Sequence, residues 1–360
     1  METDRTSRRR AAPAALALMA ASLLVGLAIG EGAVRILRPQ FVAGPDPIRN
    51  PFWRHDPMLG WSHTPGADGV FTRDEFSHHV RINGSGWRDR ERTREKPAGL
   101  VRVAVLGDSF TWGHGVEDEE IYTRVMERLQ PGVEVLNFGL SGSATDQQLL
   151  ILREHALAHH PDLVLAMVSR NDFAGNTQTM EGTYPKPRFV LEADGSLTLT
   201  NVPVPDVTWW SRFHSRLRRR SALLNLVEST LESEPVANPT GARQAQYAIT
   251  CALLAQMNRD AGAGGARFAA ALAPSNAHTY LDPIPPVEAG KYAAVIDCGA
   301  KEGFPVLDLV PAFRSAARAG GRTELHYRFD HHWNAAGHAL AAAELSRLLR
   351  REGLLPAPAP

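Results

Sequence analysis

Ser109 is the residue of this 360-residue chain that is best placed to do chemistry. It follows Gly107 and Asp108 at the end of the run 101–106, whose apolar residues predict a parallel strand buried on both faces. Ligands of open parallel sheets bind beyond the carboxyl ends of the strands, so Ser109 is expected at the edge of a binding crevice. It is therefore a candidate nucleophile, although a Gly-Asp-Ser tripeptide alone is more often a turn.

A second segment with side chains suited to catalysis, Asp330-His331-His332, precedes the last predicted helix. A serine hydroxyl is a weak nucleophile until a base takes its proton, and an imidazole oriented by a carboxylate is suited to that task. His332 is the preferred base, with His331 as a weaker alternative and Asp330 as the orienting acid. Asn334 is a plausible N-cap that would fix the end of this loop. In isolation, the two histidines are equally compatible with a polar loop.

Two further loops carry groups that could stabilise an oxyanion. The segment 137–142 contains Gly139 and Gly142, and the segment 169–172 contains Asn171. A tetrahedral oxyanion needs preorganised donors, which a backbone N–H at a glycine and an asparagine amide can supply. Each loop taken singly is more often simple turn chemistry.

These loops must be positioned by a sheet, and the sequence alternates predicted strands with predicted helices. The other predicted strands are Val133–Asn137, Leu163–Val168, Arg267–Leu272 and Pro305–Leu309. The main predicted helices are Asp118–Leu129, Thr145–His159, Ala242–Asp260 and Ala335–Arg351. This alternation predicts a parallel sheet, which brings the loops at its carboxyl edge together.

The amino terminus predicts a membrane segment. Residues 1–10 are rich in arginine, and residues 11–30 are uncharged and long enough to cross a bilayer as a helix. The positive-inside rule then makes residues 1–10 a cytoplasmic basic tail and exports everything after Glu31. Residues 11–30 are expected to form a signal anchor, with a cleaved signal peptide ending near 28–30 as the alternative. Both place the rest of the chain in the periplasm or at the cell surface.

The remaining sequence suggests one large domain with appendages. Residues 31–99 predict a connector that packs on the main domain, and residues 100–352 predict that domain with an insertion at about 173–234. Residues 353–360 predict a flexible tail. Within the insertion, residues 209–220 predict a basic helix with tryptophans, which would either lie on an anionic membrane or cover the sheet.

Composition and spacing exclude several function classes. Basic and acidic residues both number 39, so no net field attracts nucleic acid. His155 and His159 lie one helical turn apart, but no third metal ligand is identifiable, and no metal or other cofactor is expected. No Gly-x-Ser-x-Gly elbow surrounds Ser109. Cys251 and Cys298 either pair in an oxidising compartment or remain two buried thiols.

Taken together, the four segments resemble the SGNH hydrolases, also called the GDSL esterase/lipase family, over roughly residues 100–351. The resemblance implies a three-layer α/β/α, flavodoxin-like fold around a parallel sheet. It implies that Ser109 is the nucleophile and that its N–H is one oxyanion donor. Gly142 matches the family's glycine better than Gly139 does, and Asn171 matches the family's asparagine, so both are expected to complete the oxyanion hole.

The same resemblance assigns His332 as the base and Asp108 and Asp172 as supporting residues that hydrogen-bond their loops. One departure concerns the acid of the triad. The family commonly places it three residues before the histidine, where this chain has Phe329. Asp330, two residues before the histidine, is therefore the expected acid.

These features predict an exported, membrane-anchored serine esterase that acts on an acetyl or short-chain ester of a small molecule or glycan. Two alternatives use the same crevice: an O-acyltransferase that modifies a cell-envelope glycan, and a catalytically silent carbohydrate-binding envelope protein. The intact serine, glycine, asparagine and histidine favour an enzyme. The sequence identifies no protein partner.

Overall fold

The structure is a computed structural model that describes residues 3–37, 52–182, 184–232, 239–319 and 324–356. The chain forms two compact units. The helical unit comprises Met1–Pro47 and Thr208–Ala237, and the sheet unit comprises Ile48–Val207 and Asn238–Pro360.

Helices and strands are numbered in chain order. The helices are α1 (Thr3–Leu37), α2 (Ser109–Trp112), α3 (Tyr122–Leu129), α4 (Thr145–Ile151), α5 (Asp172–Gly175), α6 (Trp209–Arg220), α7 (Ala222–Glu232), α8 (Pro239–Ala263), α9 (Asn276–Tyr280), α10 (Pro286–Glu302), α11 (Val310–Arg318) and α12 (Ala335–Arg351). The strands are β1 (Trp53–Asp56), β2 (Gly60–His63), β3 (Asp68–Thr72), β4 (Ser77–Arg81), β5 (Val101–Gly107), β6 (Val133–Gly139), β7 (Leu163–Val168), β8 (Met180–Glu181), β9 (Tyr184–Pro185), β10 (Arg188–Leu191), β11 (Leu197–Thr200), β12 (Arg267–Leu272) and β13 (Val306–Asp308).

Five parallel strands form the central sheet in the spatial order β13-β12-β7-β5-β6. Counted along the chain, this is the order 2-1-3-4-5 of flavodoxin-like folds, which bind ligands where the order reverses, between the first and third strands. All residues of β6 and β7 are buried, as expected for parallel strands covered on both faces. The predicted parallel α/β sheet is confirmed.

The sheet has an apolar core on each face. Helices α4, α8 and α10 contribute to the first core, and α3, α11 and α12 contribute to the second. The alternating side chains of the strands divide between the two cores, Val103 and Val105 on one face and Ala104 and Leu106 on the other. The predicted three-layer architecture is therefore confirmed.

Two expected boundaries are wrong. The helix predicted over 145–159 is divided into α4, a π-helical turn at 152–156 and a 3-10 turn at 157–159. The flexible tail predicted from residue 353 begins too early, because Leu354 and Leu355 are buried in the second core. Residues 357–360 lie outside the described residues.

The predicted connector and insertion are each divided between the two units. Residues 31–37 continue α1, whereas residues from 52 onward form the hairpins β1–β2 and β3–β4 of the sheet unit. These hairpins pack an aromatic cluster around Trp112 of α2, which holds them on the main domain. The predicted insertion remains with the sheet unit up to Val207, while α6 and α7 belong to the helical unit.

Two features bear on the compartment of the protein. Helix α1 contains a 23-residue stretch, Ala15–Leu37, with mean hydropathy 1.9, long and apolar enough to cross a membrane. A signal sequence passes the same test. Cys251 of α8 and Cys298 of α10 form a disulfide, which decides between the two alternatives left open by the sequence.

Candidate active site

Ser109 lies where the strand order reverses, at the carboxyl end of β5, and begins the short helix α2. Asp108 caps this helix, since its Oδ1 accepts the N–H of Phe110 at 3.0 Å. Gly107 must be glycine, because a Cβ there would lie 2.1 Å from Oγ1 of Thr111. The tight turn therefore leaves Ser109 partly exposed beyond the carboxyl end of β5.

Ser109, His332 and Asp330 form a continuous hydrogen-bonded chain. Oγ of Ser109 lies 2.7 Å from Nε2 of His332, and Nδ1 of the same ring lies 2.5 Å from Oδ1 of Asp330. The side chains of His332 and Asp330 are about a quarter and a fifth exposed, so solvent reaches this hydrogen-bonded chain. Burial acts to raise the pKa of Asp330, but hydrogen bonds from His114 and His332 hold that pKa well below its usual range. The acid is therefore a carboxylate.

The loop that carries His332 is held by Glu75, a residue of the β3–β4 turn. The carboxylate of Glu75 accepts the N–H groups of Arg328, Phe329 and Asp330 at 2.9, 2.7 and 2.6 Å. His331 points elsewhere, with its Nδ1 2.6 Å from Nδ2 of Asn276, so the structure pairs His332 with the serine.

His114 is a site residue that sequence reasoning missed. Its Nε2 lies 3.5 Å from Oδ2 of Asp330, and its ring centroid is 4.2 Å from that of His332. Burial lowers the pKa of His114 to about 3, so the ring is neutral at pH 7. The only local signal was its position between two glycines, five residues after Ser109.

His114, Asp330 and His332 are the group of side chains that could hold a metal ion in the part of the chain that the structure describes, with ligand atoms within 4.8 Å of one another. His332, however, already bonds to both the serine and the acid. A triad accounts for that arrangement without a metal. His155 and His159 acquire no third ligand among the described residues; His155 packs its ring edge-on against Trp87.

The expected oxyanion donors Ser109, Gly142 and Asn171 lie in the loops that follow the neighbouring strands β5, β6 and β7. Gly142 has a φ of +79°, which favours glycine, and its N–H donates to no group within the described ranges. The ring nitrogen of Trp61 donates to the carbonyl oxygen of Ser141 at 3.0 Å and fixes this loop. The N–H of Ser109 begins a helix and has no intrahelical partner.

Asn171 has an N–H group free to bind an oxyanion, whereas Gly139 has a packing role. Nδ2 of Asn171 donates one hydrogen to Oδ2 of Asp108 at 3.0 Å, which leaves its second N–H for a ligand. Gly139 has another purpose, since a Cβ there would lie 2.4 Å from the backbone N of Trp112. Its small size allows β6 and α2 to pack closely.

Asp108 and Asp172 join the loops after β5 and β7. Oγ of Ser169 lies 2.6 Å from Oδ2 of Asp108 and 3.2 Å from Oδ2 of Asp172, and that second carboxyl also accepts the N–H of Ser169 at 2.7 Å. Burial, together with the nearby charge of Asp108, raises the pKa of Asp172 well above its usual range. Both carboxyl groups therefore hydrogen-bond to residues of the loops that carry Ser109 and Asn171.

A buried ion pair, Lys186 with Asp146, holds α4 directly after the glycine loop. Nζ of Lys186 donates to the carboxylate of Asp146 and to the carbonyl oxygens of Gly175 and Pro187 at 3.0 and 3.2 Å. Both charged side chains are essentially inaccessible to water. Sequence reasoning identified neither residue, because 40 positions separate them.

Several histidines of the sheet unit are buried and neutral. Burial lowers the pKa of two of them to about 4 and of three others to about 3. In that order, these five buried histidines are His63, His326, His78, His114 and His338. Protonation of these histidines at low pH must therefore oppose folding, because the folded state disfavours the charged ring.

One protein-family profile matches most of the sheet unit. The sequence profile of the GDSL-like Lipase/Acylhydrolase family matches residues 105–340, which is more than half of the chain. No curated protein sequence matches.

Similar solved structures include a lipolytic protein of the G-D-S-L family from Veillonella parvula, with 12% identity over 70% of this chain and 100% of that chain and a TM-score of 0.42. The lipase/acylhydrolase from Enterococcus faecalis shares 15% identity over 72% and 100%, with a TM-score of 0.42. A catalytic mutant of an acetylxylan esterase from Geobacillus stearothermophilus shares 14% identity over 72% and 97%, with a TM-score of 0.41. On the family match, the chain belongs to the GDSL-like lipase/acylhydrolase family and is an ester-bond hydrolase of the SGNH type.

Proposed function

We propose that the protein is an exported serine esterase that hydrolyses acetyl or short-chain esters through Ser109, His332 and Asp330. The observation that carries the proposal is the hydrogen-bonded chain of these residues, with distances of 2.7 and 2.5 Å at the edge of the sheet. Nucleophile, base and orienting acid thus already have the geometry that acyl transfer requires.

Acylation begins when Nε2 of His332 takes the proton of Ser109 as Oγ attacks the ester carbonyl carbon. The carbonyl double bond opens, and the resulting oxyanion is stabilised by the N–H groups of Ser109 and Gly142 and by the free N–H of Asn171. Collapse of this intermediate breaks the bond to the alcohol oxygen. The leaving alcohol takes the proton from His332, and an acyl-serine remains.

Deacylation repeats these steps with water. His332 takes a proton from a water molecule whose oxygen attacks the acyl carbon, and collapse then returns the proton to Oγ of Ser109 and releases the acid. Asp330 remains a carboxylate throughout and stabilises the imidazolium. His114 acts as a positioning residue, since its Nε2 faces the carboxylate oxygen that His332 does not use.

The side chains beside Gly142 belong to Trp61 and Glu181. A Cβ at Gly142 would lie 3.5 Å from Cζ2 of Trp61 and 3.8 Å from Cγ of Glu181, which are ordinary van der Waals distances. These contacts do not limit the length of the acyl group, so the acetyl or short-chain ester is part of the proposal that the activity assay tests. The family acts on small-molecule or glycan esters, and we include an acetylated glycan among the proposed substrates.

An exported, membrane-anchored location is supported by two independent features. Helix α1 is long and apolar enough to span a bilayer, and basic residues precede its apolar stretch. The Cys251–Cys298 disulfide is the form that cysteine pairs take in oxidising compartments.

The test uses the full-length chain in detergent with aryl acetate, butyrate and octanoate esters and with an acetylated oligosaccharide. We expect the highest kcat/KM for acetate and a loss of at least about 10³-fold in kcat for Ser109→Ala. Ser85→Ala, at an exposed serine of the connector, is the matched control and should retain activity. Equal hydrolysis by Ser109→Ala would refute the proposal, and transfer of acetyl to an added glycan faster than hydrolysis would make the enzyme a transferase.

A further inference from the structure

Helix α6 presents an aromatic patch, defined here as Trp209, Trp210, Phe213 and Leu217. These side chains are 74%, 59%, 48% and 47% exposed. The rings also contact one another, with centroids 5.4 Å apart for Trp209 and Trp210 and 5.6 Å apart for Trp210 and Phe213. Contiguous exposed apolar side chains of this kind mark an interaction surface.

The carboxyl end of α6 is attached to α1 within the helical unit. Nη2 of Arg35 donates to the carbonyl oxygen of Arg220 at 2.7 Å. The carboxylate of Glu31 accepts the hydroxyl of Ser221 and the N–H groups of Ala222 and Leu223 at 2.8 to 3.0 Å, and so caps α7. The corner between α6 and α7 is therefore fixed on residues 31–35 of α1.

This attachment point lies where the apolar segment ends. Glu31 is the first charged residue after the uncharged stretch 11–30, so in a chain anchored by these 20 residues it marks the bilayer surface. Helix α6 has 12 residues and is roughly 18 Å long, so every residue of the aromatic patch lies within about 18 Å of this attachment point. The inference thus rests on the anchored location given above as part of the proposed function.

The composition of α6 matches an anionic bilayer. Its sequence interleaves the aromatic patch with five arginines and contains no acidic residue. Tryptophan side chains favour the membrane–water interface, and basic residues beside them attract anionic headgroups. We infer that α6 lies in the headgroup region of an anionic phospholipid bilayer, with the aromatic patch at the acyl boundary, as a second membrane contact beside α1.

The test reconstitutes the full-length chain into vesicles of phosphatidylcholine and phosphatidylglycerol, with either normal or brominated acyl chains. Bromine quenches tryptophan fluorescence on contact, and of the seven tryptophans only Trp209 and Trp210 are exposed. Brominated lipid should quench part of the emission of the wild-type chain, up to two sevenths if all seven emit equally. The double variant Trp209→Phe/Trp210→Phe keeps the apolar bulk and should lose this quenching while still floating with the vesicles.

The outcomes separate this inference from the anchor itself. If both proteins float with the vesicles and bromination quenches the same fraction of their emission, the membrane contact of α6 is overturned, but the anchor by α1 is not. If the tryptophan emission shifts with the protein-to-lipid ratio but does not respond to bromination, the aromatic patch binds a second copy of the chain and the membrane contact of α6 is overturned. A chain that does not float with the vesicles overturns the anchor and the α6 contact together.

Discussion

Replacing Asp330 by asparagine tests the least conventional member of the triad. The substitution keeps the size of the side chain but removes the charge that faces Nδ1 of His332 at 2.5 Å. The amide can also donate to that nitrogen, which would hold the imidazole in the tautomer that cannot accept the serine proton. We therefore expect Asp330→Asn to fold normally and to lose kcat.

The size of the loss follows from the exposure of the pair. Loss of the charge of a fully buried triad aspartate costs on the order of 10⁴ in kcat. Asp330 is about one fifth exposed, so water compensates part of the missing charge. We expect a decrease of about 10² to 10³ in kcat, which corresponds to about 3 to 4 kcal/mol of activation free energy. KM should change little, because Asp330 lies behind the histidine.

The assay is steady-state hydrolysis of an aryl acetate by the full-length chain, with thermal unfolding measured in parallel. Asp74→Asn, at an exposed aspartate beside Glu75, is the matched control and should keep wild-type kcat. His114→Gln, which leaves Asp330 in place, should lower kcat only about fivefold at unchanged KM, as expected for one neutral hydrogen bond. A loss of less than about tenfold in Asp330→Asn would refute the assignment of this residue as the acid.

Three further predictions concern the oxyanion hole and stability. Asn171→Ala should lower kcat about 10² to 10³-fold in the same assay, and an unchanged kcat would remove its amide from the oxyanion hole. Lys186→Met should reduce the free energy of denaturant unfolding by about 3 to 5 kcal/mol by leaving Asp146 buried and unpaired, whereas adding Asp146→Leu should restore most of it. Each of the five buried histidines has a folded pKa below its unfolded value near 6.5, so the stability it contributes is present above pH 6.5 and lost as pH falls. At pH 5 the loss is about 2 kcal/mol for each of them, which the raised pKa of Asp172 partly offsets. Unfolding midpoints at pH 7 and pH 5 check this, and equal or higher stability at pH 5 would contradict it.

The central sheet was predictable because its strands are continuous apolar runs. Buried parallel strands need no alternation of polar residues, and β7 and β12 coincide with the predicted runs 163–168 and 267–272. Ser109 and Asn171 were identifiable for the same reason, since each lies within three residues of the end of such a strand.

The residues that complete the site were not predictable from local pattern. Glu75, Trp61 and Lys186 act through contacts with residues 40 to more than 250 positions away, and an isolated charged or aromatic residue gives no sign of such a partner in the sequence. His114 had only its flanking glycines as a signal. The division of the connector also escaped prediction, because residues 31–35 bond to partners 185 to 192 positions away in the helical unit.

The most direct test of the proposed mechanism is covalent trapping of the nucleophile. The full-length chain is treated with diethyl p-nitrophenyl phosphate, and the adduct is located by peptide mass spectrometry. We predict a single diethylphosphoryl group on Ser109, no adduct in Ser109→Ala, and much slower labelling in His332→Ala. An adduct on another residue, or labelling that persists in Ser109→Ala, would contradict the central claim.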